Sequence, residues 1–109
     1  MTEIGYALSS EELGPSALVD AAVRAERAGF RFAAISAHYH PWLDTQGESC
    51  FVWGVLGAIA ASTDSIRVGT GVTCPIVRTH PATIAQASAT AAALFKGRFF
   101  LGVGSGEAL

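Results

Sequence analysis

The sequence predicts an α/β fold built on a parallel sheet, and three observations carry that reading. Short apolar runs begin near residues 4, 32, 66 and 98, so a strand recurs about every 30 residues. Each gap holds a stretch long enough for the crossover helix that parallel strands require. The runs are almost continuously apolar, as strands covered on both faces are. Four such units make about half of a (β/α)8 TIM barrel, since a whole one takes roughly 250 residues. A complete small doubly wound sheet is the alternative. Gly106-Glu107-Ala108-Leu109 stands where a fourth helix should begin, which favours residues 1–109 as the N-terminal part of a single barrel domain.

Ile4–Leu8 reads as the first strand, ending in the polar run Ser9–Glu12. Gly14-Pro15-Ser16 opens a helix, because proline is tolerated in a first turn whose N–H groups are unpaired anyway. Leu18, Val19, Ala22, Val23 and Ala25 supply its apolar stripe, and Gly29 its stop. Phe32–Ser36 is the second strand. After a polar loop the strongly apolar stretch Phe51–Ser62 reads as a helix, with a turn at Asp64-Ser65. Ile66–Gly71 is the third strand and Val72–His80 a loop. Pro81 opens an alanine-rich helix to Phe95, with Gly97 at its end, and Arg98–Val103 is the fourth strand.

Composition narrows the function. Half of the 109 residues are hydrophobic, enough for the core of one domain and too short a chain for two. Seven basic against nine acidic residues leave no electrostatic footprint for nucleic acid or anionic lipid. The longest apolar stretch, Phe51–Ala61, falls short of the ~20 residues that span a bilayer. No secretory pattern opens the sequence, and Cys50 and Cys74 stand in unrelated contexts. A cytoplasmic protein with reduced thiols and a small-molecule substrate is the expectation.

The chemistry gathers at strand ends. Ser36-Ala37-His38-Tyr39-His40-Pro41-Trp42 follows the second strand. His38 suits a general base by its near-neutral titration, or a structural loop histidine. Trp42 suits packing or stacking on a ring. His38 and His40 find no acidic or cysteine partner at ligand spacing, so no metal is expected. Gly69 and Gly71 mark a close approach or a bulge in the third strand. Cys74 has no evident base and reads as a small packed side chain. Gly102-Val-Gly-Ser-Gly106 resembles a phosphate-cradling loop but lacks both the P-loop Lys-Ser/Thr and the dinucleotide spacing. Glu107 follows, either a group at a barrel mouth or a helix-starting carboxylate.

Four segments together resemble a known family. They are Ser-x-His-Tyr-His-Pro-Trp at 36–42, Arg-Val-Gly-Thr-Gly-Val-Thr-Cys-Pro at 67–75, Thr-His-Pro-Ala-Thr-Ile-Ala-Gln-Ala at 79–87 and Gly-Arg-Phe-Phe-Leu-Gly-Val-Gly-Ser-Gly-Glu-Ala-Leu at 97–109. They resemble the luciferase-like oxidoreductases that use the deazaflavin coenzyme F420, in the branch around F420-dependent glucose-6-phosphate dehydrogenase. The resemblance implies a (β/α)8 barrel, a homodimer, and hydride transfer from an alcohol, sugar phosphate-like or a hydroxy-lipid, to the coenzyme. It implies His38 as the base taking the hydroxyl proton, Glu107 as an acid near the reduced ring, and Trp42 shaping the site. Gly71, Val72, Cys74, Ser105 and Gly106 would border the coenzyme, with a non-proline cis peptide at Gly71–Val72. Ala37 stands where the family usually has an aspartate. An FMN-dependent monooxygenase of the same family, or an inactive half-barrel that only self-associates, are the rival readings.

Overall fold

The apolar runs form strands and the periodic stretches form helices, in strict alternation. The computed structural model describes residues 2–37, 47, 50–73 and 79–104. In order they form β1 (Tyr6–Leu8), α1 (Pro15–Arg27), β2 (Phe32–Ile35), α2 (Val52–Ser62), β3 (Arg67–Thr70), α3 (Pro81–Phe95) and β4 (Phe99–Phe100). α1 begins on Pro15 and buries Leu18, Ala21, Ala22 and Ala25. It ends where Gly29 takes φ +95°, a left-handed conformation that costs glycine nothing in sterics. α3 ends differently, with Lys96 itself left-handed at φ 54° ahead of Gly97.

The strands lie in the order β1-β2-β3-β4, and all three pairs are parallel. Ala7 pairs with Ala34, Ala34 with Gly69, and Gly69 with Phe100. Sequential order means that each crossover steps the same way. Right-handed crossovers then put α1, α2 and α3 on one face. A doubly wound sheet reverses its strand order to place helices on both faces. The observed order removes that alternative and leaves the part-barrel arrangement.

The core fills the space between helices and sheet. Leu8, Ala33, Ile35 and Val68 come from the strands, Leu18 and Ala22 from α1, Leu56 and Ile59 from α2, and Phe95 from α3. Residues 33 and 35 point into this core and 32 and 34 away from it, the alternation of a pleated strand. Arg98 ties the lower ends together. Its guanidinium donates to the Thr63 hydroxyl at 3.1 Å and the Ile66 carbonyl at 2.7 Å, and covers the Phe95 ring at 5.1 Å.

The strands are shorter than the apolar runs. β1 begins at Tyr6 rather than Ile4, and β4 ends at Phe100 rather than Val103. Past β4 a side chain joins the backbone pairing. The Thr70 hydroxyl takes the Gly102 N–H at 3.0 Å and donates to the Gly102 carbonyl at 2.8 Å, which also accepts the Thr73 N–H. Pairing resumes only at the Thr73–Val103 bridge.

One carboxylate fastens the turn before β3 to α1. Glu26 Oε2 accepts from the backbone N–H groups of Asp64 at 2.9 Å, Ser65 at 2.7 Å and Ile66 at 3.0 Å. The Ser65 hydroxyl approaches at 3.3 Å. Burial pushes the Glu26 carboxyl up, but these hydrogen bonds outweigh it and hold the group below the usual glutamate range. A depressed folded-state pKa means the stabilisation is complete above the unfolded glutamate value and is lost as pH falls through the folded one. Glu26→Gln should therefore lower unfolding free energy at pH 7 by about 1–2 kcal/mol. In urea titrations that gap should close as the buffer is taken below pH 4.

Candidate active site

Where β1 and β2 end, a buried carboxylate meets two hydroxyls. Glu11 and Ser10 are both buried, three residues or fewer past Leu8. The Ser36 hydroxyl donates to Glu11 Oε2 at 2.5 Å, and the Ser10 hydroxyl reaches the same oxygen at 2.7 Å. Ser10 Oγ also lies 2.6 Å from the Ser36 carbonyl, so its single proton is shared between two acceptors. The Ser10 N–H donates to Ser36 Oγ at 3.0 Å. Both hydroxyls meet on one carboxylate oxygen, which accepts from them. The network fixes the exit of β2 directly before residues 38–42.

Where β3 and β4 end, the backbone itself is shaped. The Gly71–Val72 peptide is cis. Beyond it the Thr73 N–H donates to the Gly102 carbonyl at 2.8 Å, and the Gly104 N–H to the Thr73 carbonyl at 2.9 Å. Val72 and Val103 stand 44% and 57% exposed beside this segment, an apolar border at the sheet's edge. His80 caps α3, its Nδ1 accepting the Ala82 N–H at 3.0 Å.

The face of the sheet turned away from the helices is graded in size. Low in the strands it carries Arg67, Phe32 and Phe100, with Arg67 paired to Glu3 at 2.5 Å and lying 5.9 Å from the Phe32 ring centre. Toward the C-terminal ends come Ala34, Gly69 and Gly71. An added Cβ on Gly71 would come within 3.0 Å of the Ala34 methyl. Small residues at this end let neighbouring strands pack closely, the Phe100 ring and carbonyl lying against Gly69. A hollow of about 520 Å³, at the opposite end, is walled by Thr2, Glu3, Ile4, Gly29, Phe30 and Arg31. Its Glu3 is paired with Arg67, and the candidate site is placed at the strands' C-terminal ends, where Ser10, Glu11 and Ser36 meet.

The profile of the family described as luciferase-like monooxygenase matches residues 1–109. The chain belongs to the luciferase-like family. Among similar proteins is the F420-dependent hydroxymycolic acid dehydrogenase of Mycobacterium tuberculosis, 52% identical over 97% of this chain and 29% of that protein. Another is the F420-dependent glucose-6-phosphate dehydrogenase of Nocardia farcinica, 46% identical over 98% of this chain and 32% of that protein. A solved F420-dependent secondary alcohol dehydrogenase, in complex with an F420–acetone adduct, is 38% identical and superposes with TM-score 0.93. It is covered over 32% of its length by 97% of this chain. This luciferase-like chain spans about a third of the length of the curated relatives it matches.

Of the residues singled out in the sequence, Gly71 and Val72 meet at the cis peptide. His38, Trp42, Cys74, Ser105, Gly106 and Glu107 lie outside the described residues. Ala37 packs against the apolar core, on the face opposite Ser36. Sequence reading missed Glu11 and Ser10. Their signal in the sequence is the polar run Ser9–Glu12 at the end of a strand. Among the described residues no three His, Cys, Asp or Glu gather as metal ligands, and no helix is long and apolar enough to cross a membrane. Ser10→Ala removes a fully buried donor from the Glu11 carboxylate. It should cost about 1–3 kcal/mol in denaturant unfolding.

Proposed function

We propose that residues 1–109 are the N-terminal part of a single luciferase-like barrel, in an oxidoreductase that moves a hydride from an alcohol to coenzyme F420. What carries this reading is the apolar edge at the C-terminal ends of β3 and β4. Val72 and Val103 stand half-exposed there, a surface against which a flat ring can lie. The similar proteins, F420-dependent dehydrogenases, support the same coenzyme.

Bound there, F420 supplies a deazaflavin ring able to accept a hydride. The residues of the chain divide the remaining work. His38 takes the proton of the substrate hydroxyl as the carbon gives up its hydride, leaving a carbonyl. Trp42 shapes the substrate side of the ring and excludes water. Glu107 acts as an acid near the reduced ring. Gly71, Val72, Cys74, Ser105 and Gly106 border the coenzyme. Glu11, hydrogen-bonded by Ser10 and Ser36, steadies the start of the segment that carries His38. Ala37 supplies no carboxylate there. The substrate is a small molecule with an oxidisable hydroxyl, either sugar phosphate-like or a hydroxy-lipid.

The protein works as a homodimer, in the cytoplasm, where its two unrelated cysteines stay reduced. The outer face of α2 and α3 supports the dimer. Neither Val52–Ser62 nor Pro81–Phe95 contains a charged residue, whereas α1 carries four. A groove of about 250 Å³ runs between α2 and α3, past Trp53, Gly57, Thr90 and a half-exposed Leu94. Charge depletion with small residues suits close helix approach between copies. Ala89→Glu, on the exposed side of α3, should convert the dimer to a monomer in light scattering after size exclusion.

The coenzyme reading is tested by titrating the protein with oxidised F420 and, separately, FMN, following ligand fluorescence. F420 should saturate the protein at least tenfold more tightly than FMN. Trp42→Ala should weaken F420 by about tenfold, or 1.4 kcal/mol. Saturation by FMN with no response to F420 would move the protein to the flavin-using monooxygenases. A folded protein that binds neither would be an inactive half-barrel.

A further inference from the structure

The segment between β3 and α3 is fastened at both ends. At its start Thr73 is bridged to Val103, its N–H donating to the Gly102 carbonyl at 2.8 Å and its carbonyl accepting the Gly104 N–H at 2.9 Å. At its end stands His80, in extended backbone just ahead of Pro81. An α-helix opens with N–H groups that have no partner within the helix. In α3 these are all met, and His80 is the reason. Pro81 has no N–H to satisfy. The Ala82 N–H donates to the His80 imidazole at Nδ1, 3.0 Å away. The Thr83 and Ile84 N–H groups donate to the His80 carbonyl at 2.9 and 3.1 Å. An imidazole differs here from the Ser, Thr, Asp or Asn that usually caps a helix. It accepts only through an unprotonated nitrogen, so the Ala82 bond requires the neutral ring with its proton on Nε2. A second proton removes the acceptor and adds positive charge at the positive end of the helix dipole. Histidine is the side chain whose charge changes within the physiological pH range.

We infer that His80 is a positioning residue for the coenzyme site, active only while its ring is neutral. The inference rests on the F420 reading and adds a pH dependence to it. With the cap made, the segment that begins at Gly71 and Val72 is tethered at both ends, and Val72 is held in place for a flat ring. With the imidazole protonated, the far tether is lost and binding must first re-order that end. His80 acts through the backbone it fastens and touches neither coenzyme nor substrate. α3 contains no charged residue of its own, and neither does α2 or β4, the elements packed against it. The loops at the same end of the sheet bring His38, His40, Asp44 and Glu48 ahead of α2, Arg78 ahead of α3 and Glu107 beyond β4, all outside the described residues.

The test compares the protein with His80→Asn, which caps through an amide oxygen at any pH, and with His80→Ala, which cannot cap. The first measurement needs no coenzyme. Hydrogen exchange of the Ala82 amide, corrected for its intrinsic rate, is followed from about pH 7.5 to about pH 5.5. Protection should be lost over that range in the unaltered protein, persist in His80→Asn and be absent throughout in His80→Ala. The second measurement titrates all three with oxidised F420. Affinity of the unaltered protein should fall about fivefold relative to His80→Asn over the same range. Taking the ratio removes any pH response of the coenzyme or of other groups. His80→Ala should bind about fivefold more weakly than both at the upper pH. Ala82 protection that ignores pH in the unaltered protein would overturn the inference and leave the coenzyme reading standing. So would F420 binding that is equal in all three proteins at both pH values. If none of the three binds F420, the coenzyme reading falls and the positioning role falls with it.

Discussion

The handedness of the crossover between parallel strands governs this structure. Each strand is followed by a helix that must return the chain to the same starting edge, and the twist of the strands allows one hand for that return. With the strands laid down in chain order, all three helices fall on one side. Everything apolar and bulky among Leu8, Ile35, Val68, Leu56, Ile59 and Phe95 can then share one core. The other side of the sheet is freed for a separate packing scheme. The same constraint collects every strand-to-helix loop at one end, so residues far apart in sequence arrive together. Ser10 and Ser36, 26 residues apart, touch because of it.

At that end, side chains take over work that backbone does elsewhere. The Thr70 hydroxyl binds both backbone groups of Gly102 just past the two residues of β4. Ser10 and Ser36 bind Glu11 and lock the exits of β1 and β2 together. At the other end the reverse holds, with Glu26 and Arg98 gripping backbone groups to make a rigid base. A firm lower end and a shaped upper end are what a site needs in order to hold loop residues precisely. The small inner residues near the mouth, Ala34, Gly69 and Gly71, let neighbouring groups approach the sheet closely, Phe100 against Gly69 above all.

The sequence by itself determined the number, type and order of the elements. Pro15, Gly29, Pro81 and the period-two and helical patterns act within a few residues, so their signals are local and readable. The motifs at 36–42, 67–75, 79–87 and 97–109 were also enough to indicate the family, and Gly71–Val72 to mark the cis peptide. Tertiary structure alone decided the rest. Glu11 became part of a site only when β1 and β2 paired in register and brought Ser36 to it, and a polar run after a strand carries no mark of that partner. Past the end of β4, Thr70 reaches across to Gly102, 32 residues away in sequence. Gly5 and Gly69 read as weak points in strands until Phe32 and Phe100 filled the space beside them. Local propensity is written in neighbouring residues, but packing depends on which strand lies alongside, and that is fixed only when the sheet assembles.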